Sequence, residues 1–243
     1  MKRILPKLVY AALFSGFAIS ANAATTVSAG TVSVVNGPGD LDLNNIVLAA
    51  NFDNGGNSHT VNGVTFQNDG SFAPGTFVGP RNVTPWQTTP NFGAGTDEVQ
   101  LANIYADIRW ALSNGEVLEA HLPTTAGLSY RLQILFYGNR NEARRWDIEI
   151  EGVMVVDEIT SLGVSDGAGT PPAYSNSQGI LYTYDFVAGD TTLDIIMGNL
   201  GGANDGGDRN PIWQGITLAQ IPEPSTGLLA LGSLALLLIR RRS

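Results

Sequence analysis

Short runs of alternating hydrophobic and polar residues, separated by turn residues, make up most of the middle of this 243-residue chain. Residues 128–137 show the pattern most clearly, with apolar side chains at every second position: Leu128, Tyr130, Leu132, Ile134 and Phe136. A period of two is typical of a β-strand with one face on the core. Leu135 interrupts the polar face, so we expect that face to be partly covered as well.

The same alternation predicts two hairpins. In the first, residues 146–150 and 153–156 flank the turn residue Gly152. In the second, residues 182–186 and 193–197 flank an Ala-Gly-Asp turn. Weaker strand patterns lie earlier in the chain, and one further strand closes the region; they cover residues 32–35, 46–52, 60–66 with Asn62-Gly63 inside, and 212–218.

A single segment, residues 97–113, has the period of a helix. Its apolar side chains fall three or four positions apart, at Leu101, Ile104, Tyr105, Ile108 and Leu112. Two acidic residues favour its first turn, and Asn114-Gly115 suits a left-handed helix end. Many short strands with one helix predict an all-β fold, an antiparallel β-sandwich of the jelly-roll type with one short helix.

The order of these strand sequences resembles malectin-like and galactose-binding-like jelly rolls. The resemblance extends over about half of the chain and rests on five short segments within it: residues 130–136, 146–152, 184–186, 193–195 and 212–218. It implies a jelly-roll fold and a carbohydrate-binding role. The aromatic sugar-binding residues of malectin do not map one by one onto this sequence, so the resemblance names no ligand.

The C-terminal residues 221–243 combine three signals in a fixed order. Pro222-Glu223-Pro224 forms a stiff extended segment, the uncharged apolar residues 227–239 follow, and Arg240, Arg241 and Arg242 end the run. This order resembles the PEP-CTERM sorting signal of Gram-negative bacteria. The resemblance implies that an exosortase, a membrane transpeptidase, recognises the tripeptide and removes a short transmembrane helix. The chain is then an exosortase substrate, anchored in the inner membrane before processing, with the arginine cluster as its retention signal.

The N-terminus has the layout of a secretory signal peptide. Lys2, Arg3 and Lys7 form a positive region, residues 8–18 are apolar, and Ala21-Asn22-Ala23 is an A-x-A cleavage site. We therefore expect a signal peptide at residues 1–23, one β-sandwich domain at residues 24–220, and the sorting signal at residues 221–243. The route is export, then a membrane-anchored precursor, then the cell surface or the extracellular matrix.

The charge of the exported part becomes clear once these terminal segments are set aside. Six of the 13 basic residues and one of the 22 acidic residues lie in them, which leaves seven arginines against 21 acids, net −14. Such a surface repels phosphate backbones, so we expect no nucleic-acid partner. The chain has no cysteine, which excludes disulfides and thiolate metal sites.

The best candidate for ligand binding is the loop between residues 137 and 146. It concentrates arginines beside aromatic and amide side chains, which suit stacking on sugars and reading of hydroxyls: Tyr137, Asn139, Arg140, Arg144 and Trp146. The alternative is that these arginines pair with neighbouring acids such as Glu142 or Asp147 and only neutralise the surface. We interpret Trp86 and Trp213 as packing residues.

A second candidate is a calcium loop at residues 199–211. Asn204, Asp205 and Asp208 offer oxygen ligands among glycines, which suits Ca²⁺. The spacing does not match that of an EF-hand, and a long solvated turn is the alternative.

Catalytic patterns are weak. Glu149 and Glu151 share a strand face, but their positions suit solvent, and His59 and His121 lack metal-ligand spacing. We therefore predict no enzyme, but an exported, exosortase-processed surface or matrix protein that binds extracellular polysaccharide. The alternatives are a structural biofilm component without a discrete ligand and a polysaccharide-cleaving enzyme.

Overall fold

The computed structural model describes residues 30–86, 89–113, 115–137, 144–160, 178–201 and 209–223. Its elements in chain order are β1 (Thr31–Val35), β2 (Ile46–Asn51), β3 (His59–Val61), β4 (Val64–Asn68), β5 (Phe77–Val78), β6 (Asn82–Pro85), α1 (Thr96–Ile104), β7 (Asp107–Trp110), β8 (Leu118–Pro123), β9 (Ser129–Phe136), β10 (Arg145–Ile150), β11 (Val153–Thr160), β12 (Gly179–Val187), β13 (Thr192–Gly198), β14 (Ile212–Trp213) and β15 (Gly215–Gln220). The predicted signal peptide and most of the sorting signal lie outside the described residues.

The strands form a seven-stranded sheet, a five-stranded sheet and a small three-stranded sheet. Their orders are β1-β12-β9-β15-β2-β4-β3, β11-β10-β13-β8-β5 and β14-β7-β6. Among the described strands every pair is antiparallel apart from β2 with β4, which is parallel. The predicted class, an all-β antiparallel sandwich with one short helix, is confirmed.

One hydrophobic core joins the two larger sheets. Phe136 of β9 meets Trp146 of β10 edge to face, with ring centroids 5.3 Å apart. The predicted inward face of β9 is fully buried, and Leu135 and Gln133 on its other face are buried too. Each such aliphatic side chain contributes about 1.5–3 kcal/mol on leaving water. The expectation that the second face of β9 is covered is therefore confirmed.

The predicted helix is correct only in its first half. α1 ends at Ile104, and residues 107–110 form β7 between β6 and β14. The apolar positions after the helix also fit a period of two, and β7 buries Ile108 completely. At the junction Tyr105 donates its hydroxyl to the Ile180 carbonyl at 3.0 Å, and its own carbonyl accepts from Gln214 Nε2 at 2.6 Å. These tertiary bonds hold the end of the helix against the seven-stranded sheet.

The two predicted hairpins have different outcomes. β10 and β11 do pair, around Glu151 and Gly152 with φ of 52° and 72°, which suits a tight hairpin turn. The pairing of β12 with β13 is wrong, because β12 lies between β1 and β9 whereas β13 lies between β10 and β8 in the other sheet. Residues 60–66 form two strands rather than one, turning at Asn62-Gly63.

Strand β15 runs between two distinct ends of the sandwich. At one end Gln220 lies opposite Tyr130, and the chain continues from there to Pro222; we call this the sorting end. At the other end Gly215 lies opposite Leu135 on one side and Asn51 on the other; we call this the loop end. Six strand residues separate the two ends by about 17 Å.

The connections that carry the predicted sites begin and finish at the loop end. β9 ends there at Phe136, opposite the start of β12. β10 begins there at Arg145, opposite the end of β11, and β13 ends there at Gly198, beside β10. The strand register thus places the described ends of both predicted binding segments on the side of the sandwich away from the sorting motif.

Among the helices of the described ranges, none has the length and apolar character needed to cross a membrane.

Candidate functional site

Arg144 lies between two indole rings at the loop end. Its guanidinium carbon is 5.1 Å from the ring centroid of Trp86, which follows β6, and 5.2 Å from that of Trp110, the last residue of β7. The side chain is buried. A guanidinium over an aromatic face is stabilised by the ring quadrupole, more strongly where water is excluded. Arg144 therefore fastens one end of the predicted binding loop to the small sheet.

The other predicted loop residues divide into two groups. Tyr137 and Trp146 are buried, with Trp146 packed on Phe136 in the core. Asn139 and Arg140 lie outside the described residues. The structure thus places the described members in the base of the loop. Trp110, which sequence reasoning missed, contributes half of the stack around Arg144.

The base of the predicted calcium loop is fixed beside β10 and β7. The Leu200 amide donates to Asp147 Oδ2 at 2.7 Å, Arg209 donates to Asn199 Oδ1 at 3.2 Å, and the Ala111 amide donates to the Pro211 carbonyl. Asn204, Asp205 and Asp208 lie outside the described residues. Within the described part of the chain, no group of three His, Cys, Asp or Glu side chains is arranged to hold a metal ion.

A polar cavity of about 350 Å³ opens at the loop end beside β2 and β6. It is lined by Asp53, Asn54, Gly55, Gly56, Arg81 and Val83. None of these residues was singled out from the sequence, although the run Asp53-Asn54-Gly55-Gly56-Asn57 is a strong turn signal. We refer to this site as the loop-end cavity.

The turn that forms one wall of the cavity is held by its own side chains. The Gly56 amide donates to the Asp53 carbonyl at 3.2 Å, and the Asn57 amide donates to Asp53 Oδ1 at 2.9 Å. His59 Nε2 lies 3.2 Å from Asp53 Oδ2. Burial raises the pKa of Asp53, but the hydrogen bonds from Asn57 and His59 outweigh it and leave that pKa below its usual value. The Asp53 carboxylate is therefore ionised at neutral pH.

The opposite wall is an arginine backed by a buried ion pair. Asp69 accepts from Arg81 at 2.9 Å and 3.2 Å and from Arg109 at 3.1 Å. The side chains of Asp69 and Arg109 are 2% and 3% exposed, whereas that of Arg81 is 59% exposed. Burial lowers the pKa of the Arg109 guanidinium, and the hydrogen bonds that Arg81 donates to Asp69 raise the pKa of Arg81. Arg81 thus presents a fixed cation to the cavity.

These groups suit the recognition of a polar, hydroxyl-bearing ligand. A carboxylate accepts hydrogen bonds, a guanidinium donates several in one plane, and the side-chain amide of Asn54 can do both. The backbone here is also anchored, since the Asn54 amide donates to Asp107 Oδ2 at 2.8 Å. The loop-end cavity is a preformed polar site on a rigid scaffold.

Comparison with known proteins identifies the end of the chain and the fold of the domain. Residues 220–242 match the family model described as the PEP-CTERM protein-sorting motif. A search of curated proteins finds no match.

The fold is similar to that of plant receptor ectodomains. The ANX2 ectodomain from Arabidopsis thaliana superposes with a TM-score of 0.52 at 14% identity over 74% of this chain and 50% of that chain. The plant receptor-like kinase FER gives 0.52 at 15% identity, over 74% and 50%. This chain thus spans about half the length of those ectodomains.

A further neighbour is a larger enzyme. Bacteroides uniformis beta-glucuronidase 2, in a calcium binding mutant, gives a TM-score of 0.46 at 19% identity over 75% of this chain and 19% of that enzyme. The plant ectodomains among these neighbours are malectin-like. The chain therefore carries a PEP-CTERM protein-sorting motif at its C-terminal end, on an all-β domain whose fold resembles malectin-like ectodomains.

Proposed function

We propose that this protein binds extracellular polysaccharide through the loop end of its sandwich after export to the cell surface or matrix. The sorting motif marks the chain as an exported protein that an exosortase processes. Export to the cell surface brings a protein into contact with the polysaccharide there. We therefore propose polysaccharide as the ligand class and the loop end of the domain as its binding site.

The loop-end cavity is the observation that carries the proposal. It lies at the end of β15 remote from Pro222, so a domain tethered through its C-terminus presents the cavity away from the membrane. Its volume of about 350 Å³ falls within the range of small-molecule sites, about 300–1,000 Å³. A cavity that faces away from the membrane and is lined by groups that hydrogen-bond to hydroxyls is suited to binding an extracellular polysaccharide.

The charge of the domain narrows the ligand to neutral polysaccharides. The exported part has a net charge of −14, and Asp53 adds a carboxylate at the cavity itself. The negative charge of the domain would repel an acidic polysaccharide, whereas a neutral polysaccharide can bind through hydrogen bonds alone. We therefore expect binding to neutral glycans to depend only weakly on ionic strength.

The loop between residues 137 and 146 extends the proposed site. Asn139 and Arg140 are its proposed ligand contacts, whereas the buried Arg144, Tyr137 and Trp146 position the loop. Exchanging Arg144 for methionine should weaken glycan binding without abolishing it, because the loop keeps its contact residues but loses its attachment to the indoles.

Glycan binding by the purified mature protein tests the proposal. We expect Asp53→Asn and Arg81→Met to weaken binding about 10- to 100-fold, since a hydrogen bond to a charged group contributes about 1.5–3 kcal/mol. Asp42→Asn is the matched control, because Asp42 is also a hydrogen-bonded carboxylate but lies at the sorting end. Equal losses in all three variants would refute the assignment of the site.

Two other outcomes would favour the alternatives. If the wild-type protein binds neither a glycan array nor the exopolysaccharide of the producing cells, the protein is a structural matrix component without a discrete ligand. Release of reducing ends from that polymer would instead identify a polysaccharide-cleaving enzyme.

A further inference from the structure

The sorting motif begins inside the folded domain. Its match starts at Gln220, which is the last residue of β15, and β15 is paired on both sides, with β9 and with β2. The Gln220 amide donates to the Asn45 carbonyl at 3.0 Å, and the Ile221 amide donates to the Ser129 carbonyl at 2.8 Å. Pro222 therefore follows a hydrogen-bonded residue directly, with no linker between the domain and the tripeptide.

A second cavity, of about 300 Å³, lies beside the start of the tripeptide. Its walls include Asp42, Asn44, Arg131 and Pro222 itself. Arg131 donates to Asp42 at 2.7 Å and makes a bidentate pair with Asp185, with both bonds at 2.7 Å. The rim of this sorting-end cavity is thus a rigid polar surface that is continuous with the motif.

The covalent geometry brings any enzyme that grips the tripeptide close to this rim. Neighbouring Cα atoms are about 3.8 Å apart, so Pro224 lies within about 12 Å of Ile221, whose amide is bonded to Ser129. Pulling the motif away would require β15 to separate from two neighbouring strands in the middle of the larger sheet. While β15 stays paired, an enzyme bound to the tripeptide therefore works within about 12 Å of the sorting end.

We propose that the processing exosortase recognises a composite surface, made of the tripeptide and the rim of the sorting-end cavity. The partner is the membrane transpeptidase implied by the motif, and this inference rests on that processing. The carboxylates of Asp42 and Asp185 give the rim a net negative charge beside the single cation of Arg131. The enzyme surface that meets it should therefore present hydrogen-bond donors or basic side chains.

Processing of the full-length chain in cells that carry the exosortase tests this proposal. Asn44→Trp fills the sorting-end cavity at an exposed turn position, and an eight-residue Gly-Ser insertion between Ile221 and Pro222 moves the motif up to about 29 Å from the domain. Leu112→Trp is the control, because Leu112 is 57% exposed and lies just beyond β7 at the loop end.

We expect both test variants to be processed at least about tenfold more slowly in a pulse-chase experiment, and the control at the wild-type rate. A tenfold change corresponds to about 1.4 kcal/mol of lost recognition. The thermal melts of the precursors show whether Asn44→Trp retains the fold, and the insertion alters no residue of the domain. If the insertion variant is processed as fast as the wild type or faster, the composite surface is refuted.

Failure of the underlying processing gives a different result. In a strain from which the exosortase is deleted, the wild-type precursor should accumulate. If it is processed there as before, the motif does not direct exosortase processing and this inference fails with it.

Discussion

Exchanging Arg109 for methionine should destabilise the domain more than any other arginine exchange at the loop end. Arg109 is almost fully buried, and its guanidinium donates to Asp69 at 3.1 Å. It also donates to three carbonyls of the segment before β6, those of Phe77, Gly79 and Pro80, at 3.2–3.4 Å. Methionine retains the apolar stem of the side chain but none of these donors.

The expected loss in the free energy of unfolding depends on the hydrogen bonds that Asp69 keeps when Arg109 is replaced. Removing one partner of a buried ion pair costs about 3–5 kcal/mol, because the other charge stays in a dry site. Arg81 still donates twice to Asp69, which places the loss towards the lower end. For a domain of this size, about 1 kcal/mol corresponds to about 2–4 °C in Tm. We therefore expect the Tm of Arg109→Met to fall by about 6–12 °C, with a loss near 3 kcal/mol.

Denaturant unfolding and calorimetry of the purified mature protein measure this loss. Arg81→Met is the matched control, because the Arg81 side chain is 59% exposed and Asp69 keeps its buried partner Arg109 when Arg81 is removed. A double-mutant cycle with Asp69→Asn isolates the interaction between the two buried groups. Equal losses in Arg109→Met and Arg81→Met, or a loss below about 1 kcal/mol in both, would refute the assignment of Asp69–Arg109 as a buried pair.

Three further predictions concern packing, pH and calcium. Gly179→Ala should cost about 1–3 kcal/mol in denaturant unfolding, because its Cβ would lie 2.5 Å from the buried ring of Tyr105. The pKa of Asp53 is lower in the folded state than its ordinary value of 3.8, so its carboxylate stabilises the fold above that pH and this contribution is lost as the pH falls further. The Tm of Asp53→Asn should therefore depend less on pH below about pH 4 than the Tm of the wild type. If residues 199–211 bind calcium, the Tm should be higher with Ca²⁺ than with chelator, and equal melts would remove the calcium prediction.

The alternation of apolar and polar residues was sufficient to predict most strands, because a strand that buries one face has an apolar residue at every second position. The alternation did not predict the secondary structure where one spacing of apolar residues fits two different elements. The spacing of apolar residues from Leu101 to Ile108 fits both a helix and a helix followed by a strand. The pairing of β7 with β6 and β14 decides between them, and those partners lie far away in the sequence.

Sheet membership was equally hard to predict from the sequence. A short turn between two alternating segments usually makes a hairpin, as it does at Gly152. Between β12 and β13 a turn of four residues instead passes from one sheet to the other. Its first residue, Ala188, is held beside β9, since the Ala188 amide donates to the Leu128 carbonyl and the Gly127 amide to the Ala188 carbonyl. Such tertiary bonds leave no local signal.

The candidate site was predictable only in part for the same reason. A cluster of arginines and aromatic residues pointed to the segment between residues 137 and 146, and the described ends of that segment lie at the loop end. The loop-end cavity depends on Asp53, Arg81 and Asp69, which come from separate turns and strands. Their proximity follows from the parallel pairing of β2 with β4, an unusual pairing in this fold that sequence periodicity does not encode.

The position of the motif explains how the chain can be both a folded domain and a processing substrate. Among the described residues, the Ile221 amide makes the last backbone hydrogen bond before the tripeptide. A cut at any bond after Ile221 therefore leaves every hydrogen bond of β15 in place. β15 also carries the buried side chains of Ile216 and Leu218, so a cut before Leu218 would open the core. The anchor is thus separable from the domain only at the tripeptide or beyond it, where removal of the tail leaves the loop end and its cavity unchanged.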